Sequence, residues 1–133
     1  MKVIVAGSRS ILDKALVHAC IESAGYTITE LVSGVCAGES VDFLGEVWAI
    51  KNNIPIKAFP VTKADWEKYK KAAGHLRNTK MAEYAEAAII VWDGASPGSK
   101  DMMMKMVSFG KPYVLFNDKG KQCIYENGEL REV

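Results

Sequence analysis

Five short apolar runs, separated by stretches of helical periodicity, constrain the fold of this chain more than any other feature. They are KVIVA at 2–6, ITELVSG at 28–34, IKAF at 56–59, AAIIVWD at 87–93 and YVLF at 113–116. Runs of this length with little polar alternation read as strands covered on both faces, as in a parallel sheet. Between the first two, Ser10-Ile11-Leu12-Asp13 fits an S-x-x-D capping signal. Leu12, Leu16, Ala19, Cys20 and Ser23 then recur at helical spacing until Gly25. A second helix is expected over 41–52, with Val41, Leu44, Val47 and Trp48 facing inward. Residues 63–86 are expected to form two helices, one around DWEKYKK and one from Leu76 to Glu86, broken at Gly74-His75. A last helix carries Met102, Met103, Met106 and Val107 and stops at Gly110-Lys111-Pro112. Parallel neighbours require right-handed crossovers, so the alternation predicts an α/β three-layer sandwich with a mainly parallel sheet of order 3-2-1-4-5. Asn127-Gly128, between CIYE and ELREV, adds a C-terminal β-hairpin extension over 119–133. The 133 residues read as a single domain, 1–133.

Composition removes several function classes. The net charge is +1, against a strongly basic nucleic-acid protein, and the one lysine cluster is Lys63, Lys68, Lys70, Lys71 and Lys80. No apolar run approaches the roughly 20 residues that span a bilayer, so no membrane partner is expected. The stretch after Lys2 is broken by Gly7-Ser8-Arg9 and makes no signal peptide, which gives a cytoplasmic expectation. Three scattered cysteines without a C-x-x-C, and two histidines, His18 and His75, supply no metal-ligand spacing. Nothing in the sequence calls for a metal or a cofactor.

The predicted strand order places a crevice beyond the carboxyl ends of strands one and four. Small and polar residues gather there: Gly7-Ser8-Arg9-Ser10, then Ser33-Gly34 through Gly38-Glu39-Ser40, then Asp93-Gly94-Ala95-Ser96-Pro97-Gly98-Ser99. Each loop enters a helix N-terminus, where free amides and the helix dipole favour an anion. Glycine lets backbone approach a phosphate, Ser8, Ser40, Ser96 and Ser99 can donate to it, and Arg9 can pair with it bidentately. One such loop is what any turn or cap requires; three that converge on one crevice point to an anion. Neither G-x-G-x-x-G nor G-x-x-x-x-G-K-[ST] occurs, against a standard dinucleotide dehydrogenase or a P-loop NTPase. Asp93 can contact ribose hydroxyls or close its own turn, and Trp66 and Trp92 can stack on a base or fill core. His75 has no carboxylate partner visible in the sequence, and Cys36 is either an activated or an inert loop thiol. The methionine run 102–106 suits core packing and a subunit interface.

Four blocks in this order, VIVAGSR, VSGVCAGES..D.LGE.WA, GHLRNTKMAEYA and IIVWDGASPGSKDMM, resemble the SLOG superfamily over about residues 1–116. The likeness is to its small stand-alone members of the YspA/YpsA-like kind. It implies a Rossmann-like domain that binds nucleotides or nucleotide-derived ligands, often as a homodimer or higher homo-oligomer. Relatives include the LOG phosphoribohydrolases, the DNA-processing protein of natural transformation, and antiphage sensor domains that bind NAD-derived signals.

The same resemblance separates holding from cutting. LOG enzymes carry P-G-G-x-G-T-x-x-E after the fourth strand, the glutamate being catalytic; here Met102 stands in its place, with Asp101 one residue off and read as a helix-terminal charge. A thioether neither accepts a proton nor stabilises an oxocarbenium-like cation. The LOG Arg-Lys-x-x-Met is matched by Arg77-Asn78-Thr79-Lys80-Met81, which implies Arg77 as a second anion contact and Asn78 for a ribose or base edge. The usual Gly-Ala-Arg-Gly-Ala-Asp is replaced by Gly34-Val35-Cys36-Ala37-Gly38-Glu39-Ser40-Val41-Asp42, without the arginine; Asp42 or Glu39 takes the acidic role. The expectation is therefore a domain that senses or sequesters a nucleotide-type ligand. Gly7, Ser8, Arg9, Gly34, Gly38, Ser40, Asp42, Arg77, Asn78, Asp93, Gly94, Ser96, Gly98 and Ser99 would form the site. The alternatives are an N-glycosidic hydrolase using Glu39, Asp42 or Asp93, and a single-stranded nucleic-acid module.

Overall fold

The computed structural model describes residues 1–35 and 40–133; Cys36, Ala37, Gly38 and Glu39 lie outside the described residues. The central strand β1 (Lys2–Gly7) pairs in parallel with β2 (Glu30–Ser33) on one side and β4 (Ala87–Val91) on the other. Beyond them lie β3 (Ile56–Ala58) and β5 (Tyr113–Phe116), also parallel. The hairpin strands β6 (Gln122–Glu126) and β7 (Glu129–Glu132) join antiparallel to β5, giving the order β3-β2-β1-β4-β5-β6-β7. This is the predicted Rossmann-like order, with the hairpin continuing the same sheet.

Alternation within the apolar strands sorts their side chains onto two helix-covered faces. Val3 and Val5 with Ala87, Ile89 and Val91 face helices α1 (Lys14–Ser23) and α2 (Val41–Lys51), which contribute Val17, Cys20, Ile21, Leu44 and Trp48. Ile4 and Ala6 with Ala88, Ile90 and Trp92 face α4 (Ala73–Tyr84) and α5 (Pro97–Ser108), which contribute Met81, Ala82, Met102, Met103 and Met106. Helix α3 (Lys63–Tyr69) buries no residue. It is held at its start by a capping box, in which Thr62 and Asp65 each accept from the other's amide.

Several local expectations are corrected. Helix α1 begins after Asp13, whose carboxylate accepts the Leu16 amide at 3.1 Å, and not at Ser10. Ser10 is instead drawn to a carboxylate 83 residues away. Leu12, Ala19 and Ser23 consequently face solvent. The break between α3 and α4 falls at Lys70, which takes a left-handed φ of 52°, followed by a 3-10 turn over Lys70–Ala72. Gly74 and His75 sit within the first turn of α4, where backbone amides are uncommitted in any case. Val107 is exposed, outside the methionine core.

Candidate functional site

A cavity of about 370 Å³ opens at the carboxyl ends of β1 and β4, the switch point of the sheet. Among the described residues, two connections and three helices wall it, with the end of β1 beneath.

The β4–α5 connection is organised by Asp93. Its Oδ1 accepts the Ala95 amide at 2.8 Å, the Ser96 amide at 2.9 Å and the Ser96 hydroxyl at 3.1 Å, and its Oδ2 accepts the Ser10 hydroxyl at 3.0 Å. Burial alone would raise its pKa; donation from the Ala95 and Ser96 amides and the Ser10 and Ser8 hydroxyls outweighs that and brings it down to about 2. The carboxylate thus closes its own turn, with Gly94 at a φ of 85° completing the bend. Trp92 is buried, donates Nε1–H to the Ser96 carbonyl at 3.0 Å and packs on Tyr125, so it is core.

Because the Ser96 side chain bonds Asp93, it does not cap α5, and Pro97 at the first helical position has no amide to offer. The first helical bond runs from the Lys100 amide to the Ser96 carbonyl at 3.3 Å. The amides of Gly98 and Ser99 are left without intrahelical partners, and a Cβ on Gly98 would meet nothing within 4 Å. Ser99 is 5% exposed, and its hydroxyl has no partner among the described residues. The floor below is apolar, formed by Ala6 and the buried Met102.

On the β1–α1 side the glycine and serine are structural. A Cβ on Gly7 would stand 2.0 Å from the Val91 carbonyl oxygen, so Gly7 permits β1 and β4 to converge at the cavity edge. Ser8 is buried, outside the cavity lining, and its hydroxyl accepts the Asp93 amide at 2.9 Å. Arg9 differs: it is exposed at the cavity and makes no hydrogen bond or ion pair among the described residues.

Opposite, Ser40 caps α2 by accepting the Phe43 amide at 3.2 Å and is fully buried away from the cavity. Asp42, in the first turn of α2, is buried and lines the cavity. Gly34 lies between Asp42 and Arg77: a Cβ there would come within 2.7 Å of Arg77 Nη1 and 3.0 Å of Asp42 Oδ2. Gly38 and Glu39, expected at this loop, lie outside the described residues, as does Cys36.

Arg77, on α4, donates Nη1–H to the carbonyls of Gly34 and Phe59 and Nε–H to Asn78 Oδ1 at 3.1 Å. Asn78 in turn donates its amide to Asp101 Oδ2 at 3.0 Å and to the Gly98 carbonyl at 3.3 Å. With its amide protons engaged, Asn78 positions Arg77 and buckles α4 to α5; its carbonyl oxygen, which accepts one bond from Arg77, keeps a second lone pair for a ligand hydroxyl or base edge. Asp101 also receives Lys105 Nζ at 2.7 Å and stands 3.3 Å from His75 Nδ1. The sequence suggests only a helix-terminal charge for Asp101, and not this role between the two helices. Its i,i+4 spacing to Lys105 was readable, but its bond to Asn78 crosses between two helices and left no local signal.

Among the described residues there is no group of three His, Cys, Asp or Glu side chains placed to hold a metal ion, and no helix long and apolar enough to cross a membrane. The chain matches no protein-family model, no curated protein and no solved structure.

Proposed function

We propose that this cavity binds a nucleotide or nucleotide-derived metabolite through its phosphate, as a ligand-sensing or sequestering domain of the SLOG kind that the four sequence blocks resemble. One observation carries the reading. At the start of α5 two amides, Gly98 and Ser99, and the Ser99 hydroxyl, all without partners among the described residues, stand at a cavity that also exposes the guanidinium of Arg9, likewise unpaired among those residues. Amides at a helix N-terminus and a guanidinium supply the donors and positive field that a phosphate requires, and an apolar floor suits a bound organic group. Holding fits better than turnover. Met102 carries no titratable group, and Asp93, its carboxylate saturated with donors, is a poor proton acceptor.

The test is a thermal-shift and calorimetric panel of inorganic phosphate, ribose 5-phosphate and the nucleoside monophosphates against the wild-type chain, Arg9→Ala and Ser99→Ala. A ligand at 100 times its Kd should stabilise the wild type by roughly 2.7 kcal/mol. Each variant should lose about tenfold in affinity. Wild-type protein that responds to none of the phosphates would refute the reading. Release of free base from a monophosphate would replace it with the hydrolase reading, in which Asp42 is the carboxylate to test. Salt-sensitive retention of single-stranded DNA would replace it with the nucleic-acid reading. Sedimentation of the same samples measures whether the domain is a homodimer.

A further inference from the structure

Among the described residues the phosphate cavity offers a base no aromatic face. Apart from Ala6, Pro97 and Met102 its lining side chains are polar or charged. Planar bases stack best on aromatic rings. Such faces lie beyond Arg77, in a second cavity of about 620 Å³ between the edge strand β3, helix α3 and the outer face of α4.

Arg77 borders both spaces and is tied to Gly34 on one side and to the Phe59 carbonyl on the other. Phe59 and Pro60, leaving β3, form one wall of the second cavity, and Tyr69 and Leu76 form the other. Tyr69 is 40% and Leu76 42% exposed, so both present apolar surface to this space that no other part of the described chain covers. At the rim, Lys80 and Glu83 offer a donor and an acceptor, and neither is in an ion pair among the described residues.

We infer that the two cavities form one bipartite site: a nucleoside phosphate places its phosphate at the start of α5 and its base in the Phe59–Tyr69–Leu76 groove, on the far side of Arg77. The inference rests on the phosphate reading above. It goes further in assigning the ligand's second arm and in making the base, not the sugar phosphate alone, a determinant of affinity. Arg77 is then the hinge of recognition, held rigid by Asn78 so that its plane separates the two arms.

The experiment is titration calorimetry of ribose 5-phosphate and of AMP, GMP, CMP and UMP against the wild type and the double variant Tyr69→Ala/Leu76→Asp. Both substitutions are at exposed positions, and far-UV circular dichroism checks that the fold is kept. The wild type should bind at least one nucleotide about tenfold or more tightly than ribose 5-phosphate. The double variant should lose that advantage while its ribose 5-phosphate affinity stays within twofold. Equal affinity of ribose 5-phosphate and every nucleotide in the wild type overturns the bipartite site and leaves the phosphate site standing. So does an unchanged nucleotide preference in the variant. Absence of binding by all five ligands removes the phosphate reading and this inference together.

Discussion

The Asp93 carboxylate is the main organiser of the β4–α5 connection, accepting from the Ala95 and Ser96 amides and from the Ser10 and Ser96 hydroxyls. Its pKa is lowered from 3.8 to about 2, despite burial, by the amides of Ala95 and Ser96 and the hydroxyls of Ser10 and Ser8. A depressed folded-state pKa means that the unfolded chain takes up the proton first as pH falls. The stabilisation is therefore complete above about pH 5 and is lost progressively as pH drops through 3.8 toward 2. Partial exposure screens the interaction, so about 1–2 kcal/mol is the expected size. Asp93→Asn should be less stable than wild type by that amount in urea denaturation at pH 7. The difference should shrink steadily between pH 4 and pH 2; a constant difference across that range would mean that the loop does not depend on the charge. The sequence allowed Asp93 either this role or a ribose contact, and only the positions of Ser10 and Ser8, some 85 residues earlier, separate the two.

Elements were more legible than the bonds between them. Continuous apolar runs and the methionine repeat are local signals, which is why β1, β4 and the methionine face of α5 are read correctly from residue type, while the α1 stripe, drawn through Leu12, Ala19 and Ser23, is not. Helix ends depend on competition. Ser10 was the better-looking cap, but Asp93 claims its hydroxyl, and Asp13 caps α1 instead. The Asn78–Asp101 buckle between α4 and α5 and the groove beyond Arg77 arise only when separate elements meet, so no spacing announces them. The end of α4 is a further case. Its C-cap residue Ala85 is extended, with no left-handed glycine to satisfy the last carbonyls. Lys111, after α5, reaches across and donates all three ammonium protons, to the carbonyls of Ala82, Glu83 and Ala85, each at 2.7 Å. Lys111→Met keeps the aliphatic stem and removes these bonds, so it should lower stability by about 1–3 kcal/mol. Phosphate affinity should be unaffected, since Lys111 lies outside both cavities. A variant as stable as wild type in chemical denaturation would show that water satisfies those carbonyls equally well.

At the scale of the whole molecule, the C-terminal hairpin connects one edge of the sheet to the site at its centre. Strands β6 and β7 extend the sheet past β5, and their side chains return over the same face as α5. Tyr125 packs on Trp92 with ring centroids 5.1 Å apart, while Leu130 approaches Gly94, where a Cβ would lie 3.6 Å from its Cδ1. Trp92 in turn donates to the Ser96 carbonyl, the residue from which α5 starts. The hairpin therefore supports, through one indole, the backbone that sets the direction of the Gly98 and Ser99 amides. Removing that support should have two effects of different size. Tyr125→Ala deletes a half-buried aromatic contact and should lower stability by about 1–3 kcal/mol. It should also weaken inorganic phosphate binding by a few-fold, although Tyr125 lines neither cavity. The near-ultraviolet circular dichroism of the tryptophans should lose intensity in parallel. Tyr125→Phe separates packing from the hydroxyl and should restore both stability and affinity. If Tyr125→Ala loses stability with phosphate affinity intact, the α5 start is held by Asp93 alone and the hairpin only covers the core.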